Sequence, residues 1–113
     1  MKKKIKIYFF HPYSGKGGAD LSISRLINGL DSSIYDIDFI SLNYPIIKKK
    51  IFKNIKYKKI NSNRVLFSFG KVKKIISEDK NYEKKIFISN QNFANVLSIL
   101  FLKKINNLKI VLF

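Results

Sequence analysis

The first forty-two residues constrain the fold most, because an apolar β-branched stretch, a cluster of glycines, a helical period and a second apolar stretch follow one another there. "KIKIYFF" (4 to 10) is mostly β-branched and aromatic, stops at Pro12, and is apolar on both faces in its second half. That pattern suits a strand buried inside a parallel sheet. After the glycines, Ala19, Ile23, Leu26, Ile27 and Leu30 recur at spacings of four, seven, eight and eleven, one face of a helix. Asp20 stands in the first turn, where the helix dipole favours an anion. "YDIDFISL" (35 to 42) alternates and then turns wholly apolar, a second strand. The segment reads β-α-β, with parallel strands and a right-handed crossover.

The same alternation continues downstream. Residues 43 to 63 carry seven lysines between positions 48 and 59 without a clean period, and read as an irregular excursion with a short strand near 56 to 60. Val65, Phe69, Val72 and Ile76 then predict a helix from about 64 to 78 despite Gly70, capped by Ser62 or Asn63. "KKIFIS" (84 to 89) is a third main strand, "SNQN" (89 to 92) a polar corner, and "FANVLSILFLKK" a helix so apolar all round that burial is expected. "LKIVLF" (108 to 113) is a final strand. Strands alternating with helices define an α/β fold, a three-layer Rossmann-like sandwich of doubly wound type with a mostly parallel sheet. An apolar parallel strand ordinarily leads into a further helix, so residues 1–113 are expected to form one domain that is incomplete at its carboxyl end.

Composition narrows the chemistry. The chain has no cysteine and one histidine, which excludes disulfides, thiolate metal sites and histidine-rich ones and fits a reducing, cytoplasmic setting. No apolar run reaches the roughly 20 residues that span a bilayer, and the amino terminus lacks a signal peptide's features. The net charge of +16 points toward polyanions, but 21 of the 23 basic residues are lysine, with Arg25 and Arg64 the exceptions. Nucleic-acid readers lean on arginine's planar fork. Lys, Ile and Asn together also fill 51 of 113 positions, the signature of AT-rich codons, so a merely solvated basic surface stands beside the polyanion reading.

In a doubly wound fold, ligands sit beyond the carboxyl ends of the strands. Those ends carry residues 11 to 18, 42 to 44, and 89 to 92. Gly15, Gly17 and Gly18 would let backbone N–H groups approach a phosphate or sugar, with a helix amino terminus behind them; the alternative is a corner that simply needs positive φ. Two known glycine loops fail here. Counting a dinucleotide fingerprint from Gly15 puts Asp20 where the third glycine belongs, and Asp36 and Asp38 lie at the wrong end of the second strand to hold a ribose. The Walker sequence is absent. His11, isolated beside Pro12, reads as a structural loop residue rather than an acid or base.

What remains is a strand, a Pro-containing turn, "GGAD" (Gly17 to Asp20) and an amphipathic helix ending "NGLD". In these residues the chain resembles the amino-terminal domain of retaining GT-B glycosyltransferases of family 4, which open with a similar strand, a loop ending Gly-Gly-Ala-Glu and a Leu-Ala-x-x-Leu helix. Asp20 replaces the commoner Glu. "IFISNQNFANVLSILFLKK" resembles that family's later strand, polar corner and helix, and the likeness covers almost the whole chain, weakly between 44 and 63. The resemblance implies sugar transfer from a nucleotide-sugar, the donor substrate, to a glycan or lipid-linked acceptor; no metal or other cofactor is expected. It implies that Gly17 and Gly18 face the donor diphosphate or sugar, with Gly15 of the same cluster expected beside them, and that Asn90 and Gln91 line the acceptor side. It also implies a missing carboxyl-terminal donor-binding domain, which would bring the paired glutamates and phosphate clamp. The family's amino-terminal histidine would lie beyond Phe113, so no catalytic residue is expected in this chain, which should be inactive alone.

Lys48, Lys49, Lys50, Lys53 and Lys56, interleaved with Ile51, Phe52, Ile55 and Tyr57, form a candidate surface for an anionic membrane, which would make the protein peripheral at the inner face. The bland counterpart is a solvated loop whose apolar residues tuck into the domain. A basic α/β module that binds nucleic acid or another polyanion without catalysis, with Phe52 and Tyr57 stacking on bases, is the competing function. It leaves the glycine turn unexplained.

Overall fold

Residues 5–13, 19–62, 64–82, 84–105 and 107–112 are described by a computed structural model. Five strands, β1 (Ile5–Phe10), β2 (Tyr35–Ser41), β3 (Lys56–Lys59), β4 (Lys85–Ser89) and β5 (Leu108–Leu112), form one sheet in the order β3-β2-β1-β4-β5. Every pairing is parallel. Three α-helices, α1 (Ala19–Gly29), α2 (Val65–Glu78) and α3 (Asn92–Leu102), cover the sheet. The chain is therefore α/β with an all-parallel sheet among the described residues, compatible with a Rossmann-like three-layer sandwich. Strand order reverses at β1: the chain first builds outward through β2 and β3, then returns to add β4 and β5 on the other side.

Alternation along β1 divides the core in two. Ile7 and Phe9 pack with Ile37, Phe39, Ile23 and Ile27 under α1, joined by Ile47 and Ile51 from the lysine-rich excursion. Tyr8 and Phe10 pack with Ile40, Phe87, Val65, Phe69, Val72 and Ile76 under α2 and α3. Phe10 meets Phe69 edge-on with ring centroids 5.2 Å apart and lies 5.8 Å from Phe87. Each such side chain, fully buried, contributes roughly 1.5–3 kcal/mol.

The α2 spacing is borne out: all four predicted apolar positions are buried. Its cap is not. Arg64 occupies the cap position without a side-chain cap bond, while the Ser62 hydroxyl donates 2.8 Å to the Arg64 carbonyl; Asn63 lies outside the described residues. In α1, Ile23 and Ile27 face inward as expected, but Leu26 is exposed and Ser24 takes the inner place, its hydroxyl donating to the Leu21 carbonyl. The irregular excursion resolves into a short 3-10 turn (Ile46–Lys50) and β3 at the sheet edge.

The expectation of a wholly buried α3 fails. Ala94, Leu97, Ser98 and Leu102 are buried, but Val96, Ile99, Leu100 and Phe101 are exposed, Leu100 at 69%. The helix lies beside α2 over the β4–β5 end of the sheet, so only the side turned toward those elements is covered.

A buried ionic cluster occupies the amino end of the sheet on the α2 face. Lys6 on β1 is 2% exposed, and its ammonium lies 2.9 Å from Asp38, 3.7 Å from Asp36 and 4.0 Å from Asp79. Lys58 approaches the other Asp38 oxygen at 2.9 Å. Tyr8 donates 2.5 Å to Asp79, and Tyr82 donates to Asp36. Lys85 donates 2.6 Å to the Ile76 carbonyl, and burial holds its ammonium below the usual lysine range.

Burial first, and then the hydrogen bond to Asp79, push the Tyr8 phenol far above its ordinary value; Tyr82 shifts the same way. A phenol whose folded value exceeds its unfolded one stabilises the fold fully below the unfolded value, about pH 10, and loses that contribution as pH rises above it. Stability should therefore fall by about 1.4 kcal/mol per pH unit for Tyr8 alone above about pH 10. Urea titrations of wild type and Tyr8→Phe from neutral to alkaline pH check this. The variant should be less stable near neutrality and show the shallower alkaline decline, whereas parallel curves would contradict the assignment.

Candidate functional site

The site is built where β1 and β4 end side by side, at the point where strand order reverses. In open α/β sheets a crevice forms there because the loops from the two neighbouring strands run to opposite faces. Beyond β1, His11 extends the ladder by donating its backbone N–H 3.0 Å to the Ile40 carbonyl, and the Pro12 carbonyl accepts from the Leu42 N–H at 2.8 Å. Beyond β4, Asn90 donates its backbone N–H 3.0 Å to the Phe10 carbonyl. The two corners are thus sewn together at backbone level.

Side chains tighten that seam. His11 is 1% exposed, its ring packed near Phe39, with centroids 6.0 Å apart. Its Nε2 lies 2.6 Å from an Asp20 carboxylate oxygen and its Nδ1 lies 2.6 Å from the Asn90 side-chain nitrogen. An ionised carboxylate only accepts, so the ring proton sits on Nε2, and the Asn90 amide donates to Nδ1. Asp20 belongs to the first turn of α1 and Asn90 to the corner before α3, so one imidazole braces both helix entries. With both nitrogens engaged, His11 positions the crevice and offers neither nitrogen to a substrate. Its reading as a structural residue matches this arrangement, whose partners Asp20 and Asn90 lie 9 and 79 residues away along the chain.

Gln91 is the second element of the seam. It caps α3 with φ 84 and ψ 135, a backbone region non-glycine residues seldom occupy, and its side-chain nitrogen donates 3.1 Å to the Tyr13 carbonyl. Such a conformation costs on the order of 1–3 kcal/mol and persists where the surroundings over-determine it. Ser89, at the end of β4, has a fully buried hydroxyl with no hydrogen-bond partner among the described residues.

Of the residues expected at the site, Asn90 and Gln91 come together beside the turn after β1. Gly15, Gly17 and Gly18 lie outside the described residues. His11, Asp20 and the Tyr13 carbonyl were not assigned to the site. The only hint was their place: His11 directly follows β1, and Asp20 sits nine residues on in the first turn of α1.

The lysine-rich segment lies apart from this crevice, against α1. The Asn28 side chain holds it there, donating 2.9 Å to the Lys50 carbonyl and accepting from the Phe52 N–H at 2.9 Å. Its apolar residues divide. Ile51 is buried, and Ile55 and Tyr57 are half-buried against the α1-side core, while Phe52 stands 86% exposed with Lys48, Lys49, Lys50 and Lys56 exposed around it and Lys53 partly so. Tyr57 packs on Phe39 at 5.8 Å, and the Lys48 ammonium lies 5.1 Å from its ring centre. Its ring is therefore engaged within the domain rather than offered to a base.

Among the described residues no helix is long and apolar enough to cross a membrane, and no cluster of acidic residues and histidine could hold a metal ion. Compared with family models, curated proteins and solved structures, the chain gives no significant match.

Proposed function

We propose that this chain is the acceptor-side domain of a glycosyltransferase that moves a sugar from a nucleotide-sugar donor to a glycan or lipid-linked acceptor. The observation that carries the reading is the seam at the strand-order reversal. The corner after β1, which precedes the glycine-rich segment in the sequence, and the Asn90–Gln91 corner after β4 are joined at the strand-order reversal by the His11–Asn90 and Gln91–Tyr13 hydrogen bonds. The strained backbone of Gln91 favours the same reading, since such conformations concentrate at ligand sites. The glycines would approach the donor diphosphate, and Asn90 and Gln91 would face the acceptor.

Electrostatic stabilisation of a departing diphosphate needs donors preorganised around it, so a second, donor-binding domain would complete the site. The exposed apolar side chains of Val96, Ile99, Leu100 and Phe101 on α3 and of Val111 and Leu112 on β5 support that reading, because exposed large apolar side chains in number favour an interaction face. The exposed Phe52 and its lysines would hold the protein peripherally at an anionic membrane on the cytoplasmic side. The packing of Tyr57 weighs against the nucleic-acid alternative.

The reading is tested by mapping amide chemical shifts while UDP- and GDP-sugars and simple glycosides are titrated in. Saturable changes confined to residues 11 to 20 and 89 to 92 are expected. Changes that spread over the lysine-bearing segments and vanish with salt would replace this reading with the polyanion one. Sedimentation with anionic vesicles at low salt checks the membrane face, and its absence there removes that part alone.

A further inference from the structure

We propose that the cleft at the carboxyl ends of β2 and β3 binds a phosphate group carried on a body with an apolar face. The cleft encloses about 590 Å³ and is lined by Leu42, Lys59, Asn61, Ser62, Phe67 and Lys71. It opens on the ligand side of the sheet, one strand away from the crevice between β1 and β4.

Its charge is one-sided. Lys59 ends β3 and Lys71 lies on α2; among the described residues neither forms an ion pair, and no carboxylate lines the cleft. The Lys71 ammonium donates 2.8 Å to the Asn61 carbonyl. That bond fixes the head group across the loop and leaves two of its three protons for a ligand. Phe67, in the first turn of α2, lines the cleft beside the two lysines. Two cations in one cleft, without an opposing carboxylate among the described lining residues, suit a phosphate.

The wall beside these charges is apolar. Phe67 is 68% exposed although it sits in a helix, and Leu42 lines the cleft with it. A free phosphate would leave that aromatic surface unused, whereas a sugar ring or lipid chain attached to the phosphate would cover it. Use of the cleft as an acceptor subsite rests on the glycosyltransferase reading; phosphate binding itself does not.

The test titrates the isotope-labelled chain with inorganic phosphate, with a hexose 1-phosphate, and with phosphatidylcholine vesicles that do or do not contain phosphatidic acid. Saturable amide shifts at residues 59 to 62 and 65 to 71 are expected, with the hexose phosphate or the phosphatidic acid vesicles binding more tightly than inorganic phosphate. Whichever of those two binds more tightly identifies a soluble or a lipid source. The double variant Lys59→Gln and Lys71→Gln should weaken binding roughly tenfold or more, while Lys73→Gln, an exposed charge outside the cleft lining, leaves it within about twofold. Shifts that follow every lysine, survive the double variant, or show no preference over inorganic phosphate overturn the proposal. Absence of saturable shifts at residues 11 to 20 and 89 to 92 with UDP- and GDP-sugars and simple glycosides would count against the glycosyltransferase reading and leave the result at the cleft standing.

Discussion

Replacing Lys6 by alanine should lower the free energy of unfolding by about 3–5 kcal/mol, a large part of the stability of a domain this size. The side chain is 2% exposed, and its ammonium contacts Asp38, which is fully buried, as well as Asp36 and Asp79. Removing it leaves three carboxylates around one site, with Lys58 compensating one oxygen of Asp38 from a partly exposed position. The cost is the desolvated negative charge left behind, more than the lost methylenes. Replacing the pair together separates these terms: Lys6→Met with Asp38→Leu should recover most of the loss, because an apolar pair of similar volume needs no counter-charge. Denaturant midpoints at neutral pH give both values. A Lys6→Ala loss below about 1 kcal/mol, the range of surface ion pairs, would mean that water reaches the cluster.

That cluster shows what the amino-acid pattern conveys and what it conceals. The α2 positions were legible because Val65, Phe69, Val72 and Ile76 mark one face by themselves, whatever they pack against. The β-α-β opening was legible for the same reason. Lys6, Tyr8, Asp36 and Asp38 also keep strict alternation, two on each of two strands, but their meeting depends on register. Lys6 pairs with Asp36 and Tyr8 with Asp38 only because β1 and β2 lie in parallel with that alignment, and Asp79 arrives from the end of α2. Local spacing carries no record of such long-range pairing. The exposed side of α3 misled for the complementary reason: an apolar helix reads as buried all round, although burial depends on how many neighbours the sheet edge supplies. At the site, Asn90 and Gln91 were legible from their place after a strand. Their attachment to His11 and Tyr13 spans 79 and 78 residues and was not.

Exchanging His11 for alanine is expected to cost about 2–3 kcal/mol and to loosen both helix entries at once. The imidazole joins a carboxylate on α1 to an amide before α3 at 2.6 Å on each side, and both the ring and the carboxylate are buried. A hydrogen bond to a charged group contributes about 1.5–3 kcal/mol, so the Asp20 contact should carry more of the loss than the Asn90 contact. Asp20→Ala should therefore approach the histidine variant in cost, and Asn90→Ala should cost less. In a double-mutant cycle, His11 and Asp20 should couple by at least about 1 kcal/mol, since residues in one buried network are not additive. Hydrogen exchange distinguishes a brace from a simple core residue. In His11→Ala the amides at residues 19 to 21 and 90 to 95 should exchange faster together, while those of α2 keep their protection relative to global unfolding. Faster exchange at the α1 entry alone would mean that the Asn90 contact does not hold the second corner, and the crevice would then rest on Gln91 and the backbone bonds between β1 and β4.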